Sequence, residues 1–208
     1  MRKSFIAFAA AGAAALTFGA LHAQGGPPPA LATHDASKVT AGTYKIDPNH
    51  TQILYQYKHL GLTQNMGLLS GATGTLTLDP KAPNNSKLSV DVPINTIHTT
   101  IAKLDEELVS PMFFDAAKFP TAHFESTSVS AKGESATIQG NLTIHGVTKP
   151  ATFHATFAAA GANPMSKKDS IGFQATATIK RSDFGVGAAV PMVADQVDLT
   201  ITTAVEKQ

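Results

Sequence analysis

The chain has 208 residues, enough for one domain with a sizeable core and little more. Charged residues make up 15% and apolar ones 43%. That charge content is low for a globular protein, and the formal net charge of +1 offers no basic face of the kind that neutralises nucleic-acid phosphates. The chain has no cysteine, so a disulfide framework is excluded and burial and hydrogen bonds must hold the fold.

Met1-Arg2-Lys3 is a basic start, Phe5 to Phe18 an Ala-rich uncharged stretch, and Leu21-His22-Ala23 a small-residue cleavage site. Residues 1–23 therefore read as a secretory signal peptide cut after Ala23. The apolar run is shorter than the roughly 20 residues of a membrane span, and no other segment is long and apolar enough to serve as one. The expected mature protein is periplasmic, or secreted, and carries no transmembrane segment. Removal of residues 1–23 takes Arg2 and Lys3 and no acid, so the 16 basic residues fall to fourteen against 15 acidic ones. Residues 24–41, with Gly25-Gly26 and Pro27-Pro28-Pro29, read as a flexible Pro/Gly-rich linker. The folded domain is expected over 42–206.

From there the dominant period is two. Ile53, Tyr55 and Tyr57 alternate with Gln52, Gln56 and Lys58. Leu88 to Ile94, Ile138 to Ile144, Phe153 to Phe157, Ile171 to Ile179 and Val197 to Val205 repeat the pattern. Residues two apart on a strand share a face, so each run has one apolar and one wet side, as antiparallel strands do. Asp47-Pro48-Asn49, Pro83-Asn84-Asn85, Lys132-Gly133, Gly146 and Asn163-Pro164 supply turns between them. Taking Thr43–Ile46, Thr51–His59, Gly67–Asp79, Lys87–Ile94, Thr121–Ser130, Thr137–His145, Ala151–Ala159, Ser170–Arg181 and Gln196–Val205 as strands gives eight or nine. A count near eight closes an all-β antiparallel barrel just wide enough for one small ligand. Between Thr99 and Asp115 the spacing of Ile101, Leu104 and Leu108 is helical, which predicts a short helical insertion packed over one end or side.

Motifs for chemistry are few. His50, His59, His98, His123, His145 and His154 show no close ligand spacing, so no metal site is assigned. Asp47 and His50 lack a nucleophile elbow and suit a turn better than a triad. Asp183-Phe184-Gly185 matches a kinase string, but no phosphate loop or catalytic loop accompanies it. No catalytic residue and no cofactor are assigned.

Five strings in order resemble one family. They are Tyr44-Lys45-Ile46-Asp47-Pro48-Asn49-His50-Thr51; Lys58-His59-Leu60-Gly61-Leu62 with Gly67; and Phe113-Phe114-Asp115 through Lys118-Phe119-Pro120-Thr121 and Phe124. The fourth is Gly140-Asn141-Leu142-Thr143-Ile144-His145-Gly146-Val147-Thr148-Lys149-Pro150, and Arg181-Ser182-Asp183-Phe184-Gly185 closes the set. Residues 44–206 thereby resemble the YceI-like family of exported bacterial proteins. Leu104 and Glu107 stand where its helical insertion usually has Arg and His, and Met112 where an acid is common.

The resemblance implies a lipocalin-like barrel that holds a polyisoprenoid or other long-chain lipid. Alternation then selects Ile53, Tyr55, Tyr57, Phe124, Leu142, Ile144, Phe153, Phe157, Phe173 and Ala175 as inward-facing ligand contacts. The parity of Phe124 conflicts with that of Val129. Phe113 and Phe114, with Phe119, read either as pocket wall or as a plug between helix and barrel. His50, Arg181 and Asp183 are expected as rim polar contacts, the last two otherwise as a structural pair or turn. The expected function is a non-enzymatic carrier of an isoprenoid or amphiphilic lipid. Its rivals are an enzyme acting on a lipid or small metabolite, and a stress-response structural module with a filled barrel. A homodimer is compatible with the sequence, although no string specifies one.

Overall fold

The computed structural model describes residues 32–208; the expected signal peptide and residues 24–31 of the expected linker lie outside them. The alternating runs form strands, as side chains suited to a half-buried pleated surface do. In chain order these are β1 Ala32–Thr33, β2 Gly42–Ile46, β3 Gln52–His59, β4 Thr63–Ser70, β5 Thr73–Leu78 and β6 Lys87–Pro93. Next come α1 Ala102–Val109, β7 Thr121–Lys132, β8 Ser135–Ile144, β9 Val147–Ala162, β10 Asp169–Lys180 and β11 Gln196–Lys207.

They close into an antiparallel barrel of eight positions. β2 and β3 are two halves of one position, because both pair with β11: Val205 faces Ile46 and Ile201 faces Ile53. The Asp47–His50 turn juts out between them. β4 and β5 share the next position, β4 on β3 and β5 between β2 and β6. From β6 each strand pairs with the next, and β11 closes the ring. The eight-stranded barrel with a helical insertion is as the sequence predicts. Within it, the run expected as one strand over 67–79 breaks at Gly71, whose φ is +70°, and its first half begins earlier, at Thr63.

Two β-bulges correct the simple alternation. Ser126 pairs with Gly140 but Ser128 with Gln139, which leaves Thr127 extra on β7. On β9, Ala159 pairs with Gly172 and Phe157 with Phe173, which leaves Ala158 extra. An extra residue flips the parity of the rest of its strand. Phe124 and Val129 therefore both line the interior, which resolves their conflict.

The helical insertion is shorter than the run from Thr99 to Asp115 suggests. Leu104 and Leu108, four apart, face the barrel, and Leu108 is buried. Asp105 holds the approach to α1: its Oδ1 accepts from Thr99 N and Thr99 Oγ1, both at 2.6 Å, and its Oδ2 lies 2.8 Å from His98 Nδ1.

The linker expectation fails from Ala32 onward. β9 runs past the end of β8, which leaves an open edge at residues 158–162, and β1 takes it: Ala32 pairs with Gly161 and Thr33 with Ala160. Open edges of this kind are commonly covered. His34 Nδ1 sits 2.7 Å from Ala158 O, and its Nε2 3.1 Å from Glu134. Asp35 accepts from Ser37 N at 3.0 Å and starts a short 3-10 turn over Ala36–Lys38. Val39 then packs against the cluster of Tyr44, Ile171 and Val205. The Tyr44 hydroxyl donates to Thr40 O at 2.6 Å.

Gly74 has a φ of +149° and lies so close to β6 that an added Cβ would run into Ser89 O and the Val90 Cα. Gly74→Ala should cost about 1–3 kcal/mol. Thermal denaturation should show a Tm lower by about 3–10 °C; an unchanged Tm contradicts the close packing of β5 on β6.

Candidate functional site

The inward side chains do not meet at the barrel axis. They enclose a cavity of about 720 Å³ that runs from the β3–β4 turn and the α1 insertion to the loops at the other end. This size falls within the range of small-molecule sites. All twelve expected ligand-contact positions line it: Ile53, Tyr55 and Tyr57 from β3, Phe124 from β7, and Leu142 and Ile144 from β8. Phe153 and Phe157 come from β9, Phe173 and Ala175 from β10, and Phe113 and Phe114 from the stretch after α1. Edge-to-face contacts fix some of the rings: Phe124 on Phe153 with centroids at 4.7 Å, and Phe157 on Phe173 at 6.4 Å. Phe113 and Phe114 also pack against Leu108 and Phe184, so they are both wall and plug.

Sequence reasoning left several lining residues off the site. Leu88 and Val90 of β6 and Leu199 and Ile201 of β11 carry the same alternation and line the same cavity. Thr51 and Thr203 line it too, as polar residues that no hydrophobic pattern marks. Their hydroxyls bond each other at 2.8 Å, so the wall gains no open hydrogen-bonding group there. The charged lining residues, Glu107, Arg181 and Glu134, stand at the two ends.

The expected rim contacts separate. His50 is exposed on the outer wall, its Nδ1 2.6 Å from Asp47 Oδ2, because the Asp47–His50 turn projects away from the barrel. Asp183 is exposed and does not line the cavity. Arg181 does line it, yet its partner is not Asp183. Its Nε donates to Ala194 O at 2.9 Å, one terminal nitrogen to Val186 O at 2.7 Å and Ala188 O at 2.8 Å, and the other to Val193 O at 2.8 Å. Five N–H donors in a fixed fork suit such a set of carbonyls. The guanidinium thus folds the 181–195 segment around itself. Burial pulls its pKa below the usual arginine value. Asp195 secures the same segment from the other side, accepting from Ser182 N at 2.8 Å and Ser182 Oγ at 2.7 Å. The Ser182 hydroxyl and backbone hold that carboxyl below its usual value.

One polar atom in the wall is orphaned. The Tyr55 hydroxyl is buried with no hydrogen-bond partner. It lies over Gly67, the residue directly opposite on β4, whose missing Cβ makes the room. Burial raises its pKa. Among the described residues no three His, Asp or Glu side chains group as metal ligands. The arrangement can enclose an elongated apolar molecule.

A closed meander of eight strand positions around an apolar hollow defines the class of hollow antiparallel barrels. Residues 44–205 match the model of the YceI-like domain, and the chain belongs to that family. It is 38% identical over 169 residues to a UPF0312 protein of Pseudomonas aeruginosa, which covers 80% of this chain and 88% of that one. Among solved structures, BcnA of Burkholderia cenocepacia matches with a TM-score of 0.68 and 22% identity, over 76% of this chain and 98% of that one. A polyisoprenoid-binding domain from Saccharophagus degradans matches at 0.59 with 14% identity, over 79% of this chain and 98% of its own. Both share the fold.

Tyr55→Phe should leave the fold intact and raise Tm, because burying a hydroxyl without a partner costs about 1–3 kcal/mol; a fall in Tm shows that the hydroxyl is satisfied. Asp105 tests the mouth. The Thr99 hydroxyl, with its backbone N–H and His98, holds the Asp105 carboxyl below the ordinary aspartate value. A carboxylate whose folded pKa is depressed stabilises the fold above its unfolded pKa and loses that contribution as the pH falls through the folded one. Asp105→Asn should therefore lower Tm at pH 7, and its difference from the parent protein should shrink as the pH falls through the depressed aspartate value. Equal Tm values for the two proteins across that whole range would show that Asp105 does not hold the insertion.

Proposed function

We propose that this protein is a non-enzymatic carrier that holds one long-chain lipid, isoprenoid in character, along the barrel axis. The observation that carries the reading is the cavity itself: about 720 Å³, walled by aliphatic and aromatic side chains, with charge only at its ends. Each buried CH₂ contributes about 0.8 kcal/mol before ordering costs. A chain of several isoprene units is thus held by burial alone, with no strong polar contact in the middle. The polyisoprenoid-binding domain that shares the fold supports the same ligand class. Holding rather than turnover fits a wall that is aliphatic and aromatic over most of its length. Residues 1–23 read as an export signal, which supports a carrier in the periplasm, where water-insoluble lipids must cross an aqueous space.

Organic extraction of the purified protein followed by mass spectrometry should release a long-chain lipid. Ala175→Trp fills the middle of the hollow; it should keep the far-UV spectrum and cut the recovered lipid at least about tenfold. Repeated extraction that yields no amphiphile, together with no uptake of a fluorescent long-chain probe by delipidated protein, overturns the proposal.

A further inference from the structure

Nine large apolar residues are exposed among the described residues, and eight of them come from the half of the barrel that carries the α1 insertion; Met165 alone lies at the opposite end. Six sit on its connections: Leu60 and Leu62 in the β3–β4 turn, Ile101 and Met112 flanking α1, and Val190 and Met192 before β11. Leu62 is 83% exposed, Met112 66% and Met192 62%. Apolar groups gathered on one surface, rather than scattered singly, are what mark an interaction site.

Leu60 is misplaced twice over. It adopts a φ of +53° at the first central position of the His59–Leu62 turn, closed by Leu62 N donating to His59 O at 3.0 Å, where Asn, Asp or Gly is the local preference, and it is 53% exposed. Neither turn chemistry nor burial favours leucine there, and such local conflicts gather at functional positions. The tips are also held together. Leu60 N donates to Met192 O at 2.8 Å, and His59 bridges to Val193. His59 and Val193 line the cavity, while their chain neighbours Leu60 and Met192 point to solvent. The exposed tips Leu60 and Met192 therefore adjoin the cavity wall directly, at His59 and Val193.

We propose that these tips dock on a lipid bilayer, sinking into its interface so that the mouth opens against the membrane rather than into water. The inference rests on the reading of the cavity as a lipid site and adds where the lipid is exchanged. Charge argues for insertion over electrostatic adhesion. The connections at this end, 59–62, 94–120, 145–146 and 181–195, carry three basic and six acidic residues, and the strand ends beneath add Lys58, Lys149 and Lys180 against Asp91 and Asp198, which leaves two acids in excess. An amphipathic surface without a basic excess binds through buried apolar area, not through anionic headgroups.

The probes are vesicles of phosphatidylcholine alone and of phosphatidylcholine with phosphatidylglycerol. The protein should float with both, to a similar extent at low and high salt. The combined variant Leu62→Asp, Met112→Asp, Met192→Asp should lose vesicle affinity at least about a hundredfold, while Met165→Asp should retain it. Uptake of a fluorescent long-chain fatty acid without vesicles reads the cavity separately, and the triple variant should keep it. No flotation of the parent protein overturns the proposal. So does flotation only with phosphatidylglycerol that salt abolishes, an equal loss in Met165→Asp, or parent protein that dimerises through the tips and ignores vesicles. If the parent protein takes up no probe at all, the cavity reading falls, whatever flotation shows.

Discussion

Everything in this molecule depends on β11 bonding on both of its edges. Along one it runs beside β10 from Gln196 to Glu206. Along the other it is divided between β2 and β3, with the Asp47–His50 turn looped out where the partner changes. That shared ladder turns an open meander into a closed wall. A closed wall has no free edges and needs no second layer to cover its inner face. With eight positions the interior is wide enough for side chains from opposite walls to leave space between them. Small residues keep that space: Ala136, Ala155 and Ala175 line the same hollow as Phe153, Phe157 and Phe173.

The two ends of the hollow are built by different means. At one, Tyr44, Ala160 and Ile171 form a tight apolar cluster with Val39 lying on it, beside the loops that the cavity reaches. The other is made from long connections that bury Ile97, Leu108, Phe184 and Val186 against the barrel. Polar anchors fix the course of these connections. Arg181 gathers four carbonyls from the segment C-terminal to it, and Asp105 pins the start of the helical insertion. Segments held by a few hydrogen bonds open at lower free energy than strands held by a full ladder. That end can therefore yield without the barrel coming apart, as the proposed exchange of lipid there requires.

Most of the wall was legible because alternation is a direct image of a strand with one wet face. Ile53, Tyr55 and Tyr57, or Phe153 and Phe157, announce their direction through the polar residues between them. The bulges at Thr127 and Ala158 were not legible, since an extra residue in a ladder depends on the register of the partner strand. His50 and Asp183 fail as rim contacts for a related reason. A position near a strand end in sequence says nothing about whether the turn beyond it leans over the mouth or away. The attachment of Ala32 and Thr33 to β9 was hidden because the open edge they cover exists only once β9 has outrun β8.

That attachment also gives the barrel a polarity. Ala32 joins the sheet at the C-terminal end of β9, on the far side from the β3–β4 turn. The strand that seals the β9 edge and the turn that joins β3 to β4 therefore occupy opposite poles, so the added N-terminal strand can be stripped or held without touching the connections around α1.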